Sequence, residues 1–228
     1  MSKIILFQGD SITDCGRNRE DITHTGTGYA TMVKGELGAA YPEKYFFINK
    51  GISGHRIVDV YARIKSDIIN LKPDYISLLV GVNDVWHELG GECNGVSVEK
   101  YEKIYGMLIE EIREALPEIK IMILEPFVLQ GLKTVATEEE PERWKMFDIE
   151  VHKRAAAAKR IATKYNLTFV PLQEKFDVAC RNAEPSYWLY DGVHPTAMGH
   201  NLIMKEWIKA FWEKCIFSTI RRSYLWIM

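Results

Sequence analysis

The chain has 228 residues, 47% of them apolar and 26% charged, with a formal net charge of −2. That is an ordinary globular balance at a length suited to one large α/β domain, and roughly 70% of the unfolded surface is buried at this size, so a core needs no disulfide or structural metal. No basic block marks a nucleic-acid binder, no apolar run approaches a membrane span, and the four cysteines, Cys15, Cys93, Cys180 and Cys215, form no Cys-x-x-Cys pair.

The first predicted strand is Lys3–Gln8. Its apolar stretch is too short for a secretory signal, and together with free cysteines it leads to the expectation of a soluble, cytoplasmic protein. Further strands are predicted at Tyr45–Asn49, Tyr75–Val80, Lys120–Leu124 and Thr168–Val170, mostly without the polar alternation of a half-exposed strand. Helical spacing of apolar residues predicts a helix through Ile57, Val60, Ile64, Ile68 and Leu71. A second runs through Tyr101, Tyr105, Leu108, Ile112 and Leu116, and a third, starting near Pro141, through Phe147, Val151, Ala158 and Ala162. A last helix begins near Thr196 and uses Leu202, Ile203, Trp207 and Phe211. The polar stretch Gln130–Glu140 is expected to be a mobile loop over the site.

One domain is expected over residues 1–215, followed by an apolar extension, 216–228. That extension admits continuation of the last helix, packing on a partner subunit of a homo-oligomer, or contact with a membrane surface. Packing within the protein or its oligomer is the favoured reading.

Alternation of strands with helices implies a five-stranded parallel sheet with helices on both faces. Ligands bind such sheets beyond the carboxyl ends of the strands. Small and polar residues stand at those ends: Gly9-Asp10-Ser11, Asn49 to Gly54, Gly81-Val82-Asn83-Asp84 and Asp191-Gly192-Val193-His194-Pro195. A serine hydroxyl attacks only when a base takes its proton, which makes Ser11 a candidate nucleophile, His194 its base and Asp191 the group that orients the imidazole. The backbone N–H groups of Ser11 and Gly54 and the side-chain amide of Asn83 are candidate oxyanion donors, worth roughly 3–4 kcal/mol each in such sites. Each residue also has a plainer reading. Ser11 resembles a helix N-cap, Gly54 a turn glycine, Asn83 a cap, Asp191 an Asx-turn residue and His194 a surface histidine. Their joint placement after successive strands favours the site.

Other chemistries lack their patterns. Gly51-Ile52-Ser53-Gly54 is one residue too short for a Gly-x-Ser-x-Gly elbow, no His-Glu-x-x-His pair exists, and no glycine-rich stretch matches a phosphate-binding loop.

Taken together, the four blocks over residues 3–215 resemble those of the SGNH, or GDSL-type, hydrolases. The resemblance implies a flavodoxin-like three-layer α/β/α sandwich with strand order 2-1-3-4-5. It implies Ser11, Asp191 and His194 as a triad, an oxyanion hole of Ser11, Gly54 and Asn83, and neither metal nor organic cofactor. Length, Gly81 to Trp86 and Glu125-Pro126-Phe127 further resemble the acetyl-xylan-esterase-like bacterial branch. This implies a short-chain, chiefly acetyl, ester substrate on carbohydrates such as xylo-oligosaccharides. Asp10, Trp86, Trp188 and Tyr190 are the candidate substrate contacts, the aromatic rings as platforms for a sugar face or, equally, as packing residues. A lysophospholipase or thioesterase acting on longer acyl chains, or a non-catalytic glycan-binding module on the same fold, are the competing readings.

Overall fold

The computed structural model describes residues 2–91 and 93–224, with side chains as far as Glu213. Five strands, β1 (Lys3–Gly9), β2 (Tyr45–Asn49), β3 (Tyr75–Leu79), β4 (Lys120–Leu124) and β5 (Thr168–Val170), form one parallel sheet in the order β2-β1-β3-β4-β5. Each lies within a residue of its predicted bounds. Successive side chains of a strand face opposite ways, and here both ways are covered. Ile5 and Phe7 enter one core with Tyr29, Val33, Leu37, Trp207 and Phe211, whereas Leu6 enters another with Ile57, Val60, Tyr105, Leu108 and Ile161.

The first core is closed by α2 (Tyr29–Ala40), which follows the one-turn helix α1 (Ser11–Asp14), and by the last helix, whose backbone runs from Ala197 to Tyr224. The second is closed by α3 (Ile57–Ala62), α4 (Ile64–Asp67), α6 (Val98–Ala115) and part of α7 (Arg143–Lys164). Helices α5 (Val82–Leu89), α8 (Gln173–Ala179) and α9 (Pro185–Trp188) precede the last helix, α10. The side chains of the apolar extension lie outside the described residues, although the backbone of α10 continues into it.

The helix predicted through residues 57–71 is in fact α3, α4 and a single 3₁₀ turn, Ile69–Leu71. The chain breaks at Arg63 (φ −111°, ψ 18°), whose guanidinium turns inward to donate to Gly9 O, Lys50 O and Asp67. The apolar stripe survives the break, because Ile57, Val60, Ile64 and Ile68 are all buried. Helix α7 begins at Arg143, just past the expected Pro141.

The sheet places the ends of β1, β2 and β3 side by side. The strand order reverses at β1, between β2 and β3, which makes the crevice above these ends the switch point of the fold. A cavity of about 660 Å³ lined by Tyr75, Lys120, Thr168 and Phe211 opens at the opposite end, where the strands begin.

Candidate active site

Ser11 is the first residue of α1, directly after β1. The N-cap is not Ser11, as its plainer reading had it, but Asp10, whose carboxylate accepts the Ile12 N–H at 3.0 Å. Capping by Asp10 leaves the Ser11 hydroxyl free, and Ser11 Oγ lies 2.9 Å from His194 Nε2. His194 Nδ1 lies 2.8 Å from Asp191 Oδ2. The other oxygen of Asp191 accepts the N–H groups of Val193 and His194, at 3.0 and 2.8 Å. Asp191 therefore does form an Asx-type turn, and that turn is what aims the carboxylate at the ring.

Electrostatics follow from these contacts. The Asp191 hydrogen bond, reinforced by its charge, raises the His194 pKa above the ordinary histidine value against the opposing effect of burial. Burial pushes the Asp191 carboxyl up, but the bonds from the His194 ring and from the two backbone N–H groups outweigh it and leave the pKa lowered.

Gly54 ends the loop after β2 at φ +82°, a conformation open to glycine and costly for other residues. Among the described residues, neither the Ser11 N–H nor the Gly54 N–H has a hydrogen-bond acceptor. Asn83, in the first turn of α5, donates its side-chain amide to His55 O at 3.2 Å, which fixes the head group and leaves its second N–H available. Three strand ends thus bring together the residues proposed from sequence.

The four candidate substrate contacts separate into two pairs. Tyr190 is 58% exposed, and its ring stacks on His194 with centroids 5.7 Å apart at 21°. Trp86 approaches the same imidazole edge-on at 6.4 Å and packs against Phe147. Asp10, by contrast, is 1% exposed and occupied as the cap, with a pKa raised by burial to about 7. Trp188 packs against the core and edge-on to Tyr187.

Sequence reasoning missed the residues that hold this arrangement. The stretch expected to be a mobile loop is fastened at its start to the turn bearing Asp191. Leu129 N–H donates to Gly192 O and Lys133 N–H to Asp191 O, both at 2.9 Å, while buried Thr134 ties the loop to itself through Leu129 O and Gly131 N–H. Gly131 and Gly192 meet so closely that a Cβ on Gly131 would sit 2.4 Å from Gly192 N. On the other side, Asn49 bridges to Thr13 O and Gly51 N–H, and Arg17 donates to Gly51 O. The sequence signal for such contacts was glycine at Gly51, Gly131 and Gly192, residues outside regular elements where backbones meet.

Among the described residues there is no group of three or more His, Cys, Asp or Glu able to hold a metal ion, and no helix long and apolar enough to cross a membrane. Cys15, Cys93 and Cys180 are free thiols.

Comparison with known proteins agrees with the architecture. Residues 7–202 match the GDSL-like lipase/acylhydrolase family. The chain is 34% identical over 214 residues to an acetylxylan esterase of Geobacillus stearothermophilus, covering 90% of this chain and 92% of that one. A solved GDSL-like lipase of Parabacteroides merdae superposes with a TM-score of 0.83 at 34% identity, covering 92% and 96% of the two chains. A solved catalytic variant of the Geobacillus esterase, with an aspartate replaced by alanine, superposes at 0.79 with 32% identity, covering 92% and 95%. Matches of this extent over a shared five-stranded fold place the chain in the GDSL-like lipase/acylhydrolase family, as a carboxylic ester hydrolase.

Proposed function

We propose that the protein is a cytoplasmic serine esterase that removes short acyl groups, chiefly acetyl, from carbohydrates such as xylo-oligosaccharides, without a cofactor. The observation that carries the mechanism is the continuous chain Ser11 Oγ–His194 Nε2–His194 Nδ1–Asp191 Oδ2, at 2.9 and 2.8 Å. Neutral His194 takes the Ser11 proton as Oγ attacks the ester carbonyl. The tetrahedral oxyanion is held by the Ser11 and Gly54 N–H groups and the free amide N–H of Asn83. As the intermediate collapses, His194 gives its proton to the leaving alcohol, and the acyl group stays on Ser11. Water then attacks the acyl-enzyme with His194 again as base, releasing the acid and restoring Ser11. Asp191 fixes the tautomer with Nδ1 protonated and stabilises the imidazolium formed in each half-reaction.

The Geobacillus relative supports both halves of the reading. It is named an acetylxylan esterase, and its solved catalytic variants replace an aspartate, a serine and a histidine. Exposed Tyr190 beside the imidazole supplies a flat apolar face of the kind on which a sugar ring rests.

The test compares wild type with Ser11→Ala on nitrophenyl esters of increasing acyl length and on acetylated xylo-oligosaccharides. Turnover that favours acetyl, releases acetate from the oligosaccharides and vanishes in Ser11→Ala is the expected result. Rates that grow with acyl length would move the substrate to lipids or thioesters. Binding of the oligosaccharide without turnover would replace the enzyme reading with a binding module.

A further inference from the structure

We propose that Asp14 is the positioning residue of the oxyanion hole, locking the loop that carries Gly54 to the helix that carries Ser11. This inference rests on the roles proposed above for Ser11 and Gly54. Asp14 ends α1, one turn after Ser11, and its side chain is nearly buried. Its Oδ2 accepts both the backbone N–H and the hydroxyl of Ser53, at 3.1 and 3.2 Å. Ser53 is the residue immediately before Gly54, so the Ser53–Gly54 peptide, whose N–H is the proposed donor, leaves directly from a residue pinned at two atoms.

The rest of the loop is built for the same close approach. A Cβ on Gly51 would meet Asp14 N at 2.4 Å, so the loop lies directly on the backbone of α1. Ile52 N–H donates to Gly9 O at 3.1 Å, just ahead of the nucleophile. Serving the arginines does not explain Asp14 as well. Arg19 Nη2 is 3.5 Å away and largely exposed, and Arg17 Nε is 3.9 Å away and gives its hydrogen bond to Gly51 O instead. A carboxylate removed from water needs partners, and beyond the long hydrogen bond from exposed Arg19 the two shorter ones both come from Ser53. Through them the nucleophile and one oxyanion donor become a single rigid unit, so the distance between Ser11 Oγ and the Gly54 N–H is set before substrate arrives.

Four variants separate this role from a merely structural one: Asp14→Ala, Asp14→Asn, Ser53→Ala and the double variant Asp14→Ala/Ser53→Ala, with Ser11→Ala as control. Activity on nitrophenyl acetate is normalised to active sites titrated with a fluorophosphonate, so that misfolded protein does not count. Affinity is measured for an alkyl boronic acid, which accepts an electron pair from Ser11 Oγ as His194 takes the proton, giving a tetrahedral adduct. In Asp14→Ala, kcat is expected to fall about 10–100-fold per titrated site, with boronate affinity falling in parallel and KM staying within about twofold. Asp14→Asn keeps one acceptor and recovers part of the loss. Ser53→Ala costs a few-fold alone and adds nothing in the double variant, because both changes break the same link.

Unchanged kcat and boronate affinity per titrated site in Asp14→Ala would overturn the proposal, as would a loss confined to the number of titratable sites. If Asp14→Ala does not fold, Asp14→Asn and Ser53→Ala carry the same readouts, and wild-type values in both would overturn it. Turnover retained by Ser11→Ala would instead remove the underlying nucleophile assignment, an outcome separate from either.

Discussion

The turn that carries Asp191 and His194 is held from outside by main chain: Leu129 and Lys133 N–H groups on Gly192 and Asp191 carbonyls, with glycine against glycine. The loop that carries Gly54 has one main-chain bond of this kind, Ile52 N–H to Gly9 O, but is held chiefly by side chains, with Asn49, Asp14 and Arg17 each bonding to its backbone. The first mode is sensitive to added volume and indifferent to charge. The second is sensitive to the loss of single polar groups. One site thus has two kinds of weakness, and substitutions can tell them apart.

The largest effect is expected inside the turn itself. Asp191→Asn keeps the shape but allows the wrong imidazole tautomer, and kcat on nitrophenyl acetate is expected to fall on the order of 10³–10⁴-fold. Next comes volume. Gly192 sits at φ +98°, and an added Cβ would lie 2.5 Å from Thr134 Oγ1 and 2.6 Å from Leu129 O. Gly192→Ala is expected to cost about 10–100-fold in kcat with little change in KM, because the base moves while the substrate platform stays. Wild-type kinetics in this variant would show that the main-chain support is not needed.

A smaller effect concerns pH. The base must be neutral, and Asp191 raises the His194 pKa, so kcat/KM is expected to reach half its maximum above the ordinary histidine value of about 6.5. In Asp191→Asn the residual activity is expected to shift its limb to lower pH. A limb that stays put would sever the electrostatic link between the two residues.

A separate effect is on stability rather than on activity. Burial raises the Asp10 pKa from 3.8 to about 7. Between those values the folded protein retains a proton that the unfolded chain has released, so this group's contribution to stability falls as pH rises through the window. Asp10→Asn keeps a capping acceptor and removes the titration. Its stability relative to wild type is expected to improve by about 1–4 kcal/mol from pH 4 to pH 7 and then level off, as read by denaturant unfolding. A constant difference across that range would mean that Asp10 does not titrate there.

The sheet was legible because each strand is short, apolar and buried on both faces, and no tertiary detail is needed to read such a run. Helix α2 was not, because Gly35 and Gly38 interrupt its apolar spacing although Tyr29, Val33 and Leu37 are buried. The break at Arg63 was hidden for another reason: its partners Gly9 and Lys50 lie in other segments. The same division runs through the site. Ser11, Gly54, Asn83, Asp191 and His194 stand in short blocks after strands and were readable in order. Asp14 acts across a segment boundary, on Ser53, and Thr134 acts within a loop that carries no motif, while the burial of Asp10 depends on packing that its sequence neighbours do not reveal.

Tyr190 belongs to neither support. Its ring lies over the imidazole, mostly in solvent, and only its backbone N–H, given to His194 O, ties it to the turn. Its side chain can therefore be exchanged with little harm to the fold or to the acid–base pair. Under the proposed function, exchange at this position alters the fit of the leaving group while the triad stays in place, and a library randomised at it alone is a sparing starting point for redirecting the enzyme to new esters.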